Sequence, residues 1–304
     1  MGHGHCHAHD HGPRDYSRAF AAGVALNVAF VVIEAAGGVA IGSMALLADA
    51  GHNLSDVLGL LLAWGAAYLA QRVPTERYTY GLRSSTILAA VTNGLILMMV
   101  VGGIAWESIR RLIETADVAG GPVVLIAGVG VIINTATALL FVRGRKQDLN
   151  IRGAYLHMAA DAGVSLAVML GGLGMMMLGW QWLDPALSLI IAAVIVWSTW
   201  GLLKNSLNLA LQAVPEGIDL REVHQYLLDR PGVTIVHDLH VWAMSTTETA
   251  LTAHLVRPEN GDADSFLSKT AHELHDRFGI EHTTLQIERV HDPEACRLAR
   301  PGAV

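Results

Sequence analysis

Charge is scarce in this chain: of 304 residues only 15% are Asp, Glu, Lys or Arg, against 52% apolar ones, and the mean hydropathy is +0.41. Soluble domains carry about 25% charged residues, so this balance excludes an ordinary water-soluble enzyme and points to a lipid bilayer as the solvent. Cysteine is nearly missing. Cys6 and Cys296 stand near opposite ends and cannot build the dense disulfide framework of a small secreted domain. Nine prolines and 31 glycines without a triplet period exclude collagen, and the apolar content excludes bulk disorder. An excess of positive charge is also lacking: the net charge is −7 and the pI about 6.1, which argues against a nucleic-acid partner. Histidine, with 15 copies, is what the sequence has in surplus.

Residues 1–16 form a His-rich tail, MGHGHCHAHDHG at its start, with no apolar core and hence an expectation of flexibility. His3, His5, Cys6, His7, His9 and His11 are candidates to gather divalent metal. Cys6, Asp10 and spaced glycines interrupt the run, unlike a purification tag, and no signal-peptide apolar region follows.

Residues 17–208 read as a transmembrane domain. Six apolar segments, at 17–40, 45–70, 84–112, 122–142, 151–178 and 186–205, each approach the ~20 residues that a helix needs to span the hydrocarbon. Gly37-Gly38 and Gly102-Gly103 are expected to permit close helix packing or bending. Arg14, Arg18, Arg72, Arg77, Arg83, Arg143, Arg145, Lys146 and Arg152 gather on one side and only Arg110 and Arg111 oppose them, so both termini are expected in the cytoplasm of an inner-membrane protein. Residues 209–304 are too polar to span. Their pattern reads helix (218–229), strand (233–244), strand (248–257), helix (264–278), strand (283–290), a small open-faced α+β sandwich.

A charge at mid-membrane costs ~2.5–3.5 kcal/mol on insertion scales, so each intramembrane ionisable group is a functional candidate. The second segment carries Asp49, His52 and Asp56; the fifth carries His157 and Asp161. Both hold His-x-x-x-Asp, and residues four apart share a helix face. Two facing pairs supply two imidazoles and two carboxylates, the donor set of a tetrahedral transition-metal site. Two nitrogens move the preference toward Zn2+, with Cd2+, Co2+ and Ni2+ as alternatives. At 1.5 Å per residue each pair lies roughly 10–17 Å below its nearer surface, so the pairs meet near the midplane. Each occupies the middle helix of a three-helix group, as in an inverted-repeat transporter. Asp49 is a candidate metal-supporting group or proton carrier; Glu34, Asn27 and Asn134 are candidates for packing or for lining a pathway.

The runs SMALLADAGHNLSDVLGLLLAWGA, YTYGLRSSTILAAVTNG, LHMAADAGVSL and HDLHVW resemble the cation diffusion facilitator family, in particular its bacterial zinc-exporter branch, over nearly the whole chain. The resemblance implies a six-helix transmembrane bundle followed by a cytoplasmic ferredoxin-like domain, and a homodimer that exports zinc in exchange for protons. It implies that His52, Asp56, His157 and Asp161 hold the transported ion. Some relatives bind metal in the loop after the second helix, where this chain has Tyr78 and Leu82, so no such site is expected. Cytoplasmic metal positions map onto His237, His254 and Glu288, with His240, His282, His291 and Cys296 nearby. Regular strand alternation would put His237 and His240 on opposite faces.

Metal ligands must be deprotonated, so zinc entry should displace protons, and an imidazole of ordinary pKa about 6.5 suits exchange near neutral pH. Alternating access of a central site is the expected mechanism. Two rivals remain. A membrane metalloenzyme would need an open coordination position and a base, as in His-Glu-x-x-His, which is missing. A membrane-anchored zinc sensor would carry no flux and would tolerate loss of Asp56 or Asp161.

Overall fold

The computed structural model describes residues 17–114, 116–142, 149–258 and 261–290. The tail histidines, Cys6, Arg143, Arg145, Lys146, His291 and Cys296 lie outside the described residues. Six long helices come first: α1 (Ser17–Ile41), α2 (Met44–Ala70), α3 (Ser85–Ile113), α4 (Gly120–Phe141), α5 (Leu149–Leu178) and α6 (Leu183–Ala210). Five are long and apolar enough to cross a membrane, and Ala25–Ile41 of α1 is apolar as well. They are apolar on every side. Leu125, Ile132 and Trp197 point outward, which only a lipid surround makes favourable.

The helix limits follow local chemistry. Gly42, at φ +73°, makes the sharp turn between α1 and α2 that a side chain would resist. Helix α6 starts at Leu183, three residues before the expected start, because Pro185 fits the first turn, where its missing N–H costs nothing.

The chain divides into two compact units. One comprises the described residues up to Val57 together with Met99–Ile195, and the other comprises Leu58–Met98 and the described residues from Val196 onward. In the first, α4 packs along α5 and against α1. Glycine sets the spacing: a Cβ on Gly120 would fall 2.5 Å from the Gly172 carbonyl oxygen, and one on Gly130 would fall 2.5 Å from Phe30 Cζ. Gly37 has the expected packing role, a Cβ there meeting Ile126 Cδ1 at 2.3 Å. Gly102 and Gly103 do not, since a Cβ on either meets nothing within 4 Å.

The second unit contains α7 (Leu220–Leu228), β1 (Ile235–Ala243), β2 (Thr249–Val256), α8 (Ala263–Phe278) and β3 (His282–Glu288). Asp219 and Asp262 accept hydrogen bonds from Arg221 N and Ser265 N and so start α7 and α8, while Gly279 at φ +66° ends α8. The sheet order is β1-β2-β3, with β1 antiparallel and β3 parallel to β2, so α8 is the crossover helix. Val223, Leu227, Val236, Leu239, Leu251, Leu255, Leu274 and Ile280 form its core. The start of α3 and the residues before it meet the β1–β2 turn: Arg83 pairs with Glu248, Ser84 Oγ donates to Met244 O (3.2 Å) and Thr246 N donates to Thr86 Oγ1 (3.0 Å).

Strand β1 departs from simple alternation. His237 pairs with His254, but His240 pairs with Thr252, so β1 spends three steps where β2 spends two. The extra residue is Asp238, in the left-handed region at φ +52°. Val236, Leu239, Val241 and Ala243 are the buried positions, and His237 and His240 share the opposite face. The expectation of opposite faces for these histidines is therefore corrected; a bulge, which Asp tolerates better than most side chains, resets the parity.

Candidate functional site

Helices α2 and α5 bring the two His-x-x-x-Asp pairs together inside the first unit. His157 Nε2 lies 3.3 Å from Asp56 Oδ2 and 3.6 Å from Asp161 Oδ2. His52 Nε2 lies 3.7 Å from Asp161 Oδ1 and 4.0 Å from Asp56 Oδ2. The imidazole rings meet edge to face, centroids 6.2 Å apart. Asp161 is 1% exposed, whereas the side chains of Asp56 and His157 are 34% and 42% exposed, so the cluster has a closed floor and an accessible side. Asp56 Oδ2 and Asp161 Oδ2 are buried without a hydrogen bond. Two convergent imidazoles and two under-satisfied carboxylates fit a divalent transition metal.

A buried polar layer supports the quartet. Ser165 Oγ donates to Asp49 Oδ2 (3.0 Å), and Asn53 Nδ2 donates to Glu34 Oε2 (3.4 Å); all four side chains are fully buried. Asn134 is 1% exposed with neither amide atom hydrogen-bonded, and Asn27 is 9% exposed with its oxygen in the same condition. The start of α2 is held by Asp184, which accepts from Ser43 Oγ (2.5 Å), Met44 N (2.7 Å) and Ala45 N (3.3 Å). That carboxylate caps the helix bearing Asp49, His52 and Asp56.

A second cluster lies on the β-sheet. His237, His254 and Glu288 each offer a ligand atom within 4.8 Å of the others. His237 Nε2 is 3.0 Å from Glu288 Oε2, and His254 Nδ1 is 2.9 Å from Glu288 Oε1. Burial pushes the Glu288 carboxyl up, but the hydrogen bond to His237 and the charges of His237 and His254 outweigh it and hold it below the usual glutamate range. His254 Nδ1 is buried and makes no hydrogen bond. Two nitrogens and a carboxylate suit zinc. His240 stands outside this trio, with Nε2 2.9 Å from Asp238 Oδ1. His282 is elsewhere, edge-on to Tyr80 at 5.4 Å.

Four residues of these sites escaped the sequence reading. Ser165 had a signal, for it continues the face of His157 and Asp161 at the next i+4 position. Asn53 had its buried neighbours. Asp184, in the first turn of α6, and Asp238, at the bulge, act through long-range contacts that no local pattern carries.

A family profile described as the cation efflux transmembrane domain matches residues 20–209, and one described as the cation efflux protein cytoplasmic domain matches residues 215–290. Zinc transporter ZitB of Escherichia coli (strain K12) is 35% identical over 291 residues, 95% of this chain and 93% of that protein. The metal cation efflux system protein CzcD of Cupriavidus metallidurans is 35% identical over 283 residues, covering 93% and 89%. The cadmium, cobalt and zinc/H(+)-K(+) antiporter of Bacillus subtilis (strain 168) is 34% identical over 278 residues, covering 90% and 89%.

Proposed function

The chain belongs to the cation efflux family and is a multi-pass membrane transporter of metal cations rather than an enzyme, and from that premise we propose that it exports zinc from the cytoplasm in exchange for protons. The observation that carries this reading is the quartet of His52, Asp56, His157 and Asp161, whose four side chains converge from α2 and α5. Nitrogen and oxygen donors in equal number favour zinc, with cadmium, cobalt and nickel as alternative cargo.

The exchange follows from ligand chemistry. Zinc binds imidazole lone pairs and carboxylates, so its arrival on the cytoplasmic side displaces protons, and proton return from the opposite side weakens the ligands and releases it. Alternating access separates the two events. Glu34 and Asp49, buried beside the quartet, are the proton carriers of this reading, and Asn27 and Asn134 line the approach. Both termini face the cytoplasm, with residues 1–16 as a metal-gathering tail, 17–208 as the transmembrane domain and 209–304 as the regulatory domain. Zinc at His237, His254 and Glu288 favours a homodimer of that domain and biases the transport equilibrium to the extent that the two states bind it differently. The test is zinc movement into proteoliposomes with and without an imposed pH gradient. Flux that rises with the gradient supports exchange; flux indifferent to it, or no flux from folded protein that still binds zinc, contradicts it.

A further inference from the structure

Asp238 is an odd residue to find inside a strand. It sits at φ +52°, among non-glycine residues one of two described positions with positive φ, and it is the inserted residue of the β1 bulge. A left-handed non-glycine conformation is strained and persists where surroundings hold it. The bulge turns its side chain onto the face of the His237, His254 and Glu288 cluster. There its two oxygens are shared: Oδ1 lies 2.9 Å from His240 Nε2, and Oδ2 approaches His254 Nε2 at 3.5 Å.

The two ring nitrogens of His254 thus have different surroundings. Nε2 lies 3.5 Å from the Asp238 carboxylate, whereas Nδ1, 2.9 Å from Glu288 Oε1 and buried without a hydrogen bond, faces into the cluster. A histidine nitrogen binds metal only through its lone pair, and the hydrogen bond at the other nitrogen decides which one carries the proton. We propose that Asp238 is a positioning residue of the cytoplasmic metal site: it accepts from Nε2–H of His254 and holds the ring so that Nδ1, beside Glu288 and turned toward His237, is the nitrogen offered to the metal. His240 acts one step further out, steadying the carboxylate through Oδ1. This explains why the strained bulge stands at the residue between the histidines and why His240, though close by, is not a ligand. The inference rests on the reading of His237, His254 and Glu288 as a zinc site.

Two replacements keep the backbone. Glycine accepts φ +52° without strain and removes the carboxylate, and asparagine tolerates the left-handed region and keeps a neutral acceptor. The full chain carrying Asp161→Ala is titrated with zinc, and the binding that His237→Ala removes is assigned to the cytoplasmic site. In the same protein loaded with zinc, histidine 15N spectra, with His254 identified through His254→Gln, report which of its ring nitrogens holds the metal. Asp238→Gly is expected to weaken that binding about 10–100-fold and to abolish the preference of His254 for holding zinc through Nδ1, with Asp238→Asn falling between it and wild type. Thermal unfolding should stay near the wild-type midpoint. Binding within twofold of wild type in both variants, with zinc still held through Nδ1 of His254, overturns the role of Asp238 and leaves the zinc site standing. No binding that His237→Ala removes overturns the zinc site itself, and Asp238's role with it. Should the glycine variant fail to fold, the asparagine variant decides by the same twofold criterion.

Discussion

His157 lies closer to Asp56, on the other helix, than to Asp161 on its own, at 3.3 Å against 3.6 Å, and His52 likewise lies closer to Asp161 than to Asp56. The site is therefore a property of the α2–α5 pair rather than of either His-x-x-x-Asp turn. A relative slide of these helices changes all the cross-helix distances at once, which suits a site that must bind tightly in one state and release in another.

Asp184 should be as sensitive as a ligand in stability although it touches no cargo. Its carboxylate accepts three hydrogen bonds at the start of α2. Asp184→Ala strands buried donors at about 1–3 kcal/mol each, so a marked fall in the thermal unfolding midpoint is expected, with zinc flux falling alongside. An unchanged midpoint would refute the cap.

Gly120 tests the helix spacing. Its Cβ position meets Gly172 O at 2.5 Å and Met176 N at 2.8 Å, both backbone atoms that cannot rotate away. Gly120→Ala must push α4 from α5 and is expected to cost about 1–3 kcal/mol in unfolding, whereas Gly102→Ala should cost nothing or stabilise α3. Equal effects at the two positions would contradict the packing described.

Acid should weaken the C-terminal domain partly through Glu273. The hydrogen bond from Tyr226 Oη, at 2.8 Å, is the main reason its carboxyl titrates below the ordinary glutamate range; Arg230 and Lys269 add to it. Its contribution to stability is complete above the unfolded carboxyl's pKa of about 4.3 and is lost as pH falls through the lower folded value. Unfolding midpoints measured from pH 6 to pH 3 should fall less steeply in Glu273→Gln than in wild type. Parallel curves would remove Glu273 from the account.

Removing residues 1–12 should raise the zinc concentration needed for half-maximal flux and leave the maximal rate close to wild type, since a metal-gathering tail acts on supply. An unchanged rate at limiting zinc would show that the tail plays no such part.

Hydropathy made the membrane helices legible in the sequence, because a span must be apolar over its whole length, and each helix end falls within a few residues of expectation except the late end of α6 at Ala210. The quartet was legible because ionisable groups stand out against that background. The sheet was legible in its order but not in its parity, since nothing in Val-His-Asp-Leu-His marks Asp238 as the inserted residue. The supports Asn53, Ser165 and Asp184 depend on contacts between distant segments, and such contacts leave no period in the chain.

The most direct test of the central claim compares wild type with Asp161→Ala in proteoliposomes, measuring zinc flux under an imposed pH gradient and zinc binding in the same preparations. Folded Asp161→Ala protein should lose nearly all gradient-driven flux and the zinc bound at the membrane site, while keeping the zinc that His237→Ala removes. Flux in Asp161→Ala comparable to wild type would contradict the account, because cargo would then cross without the group that closes the site.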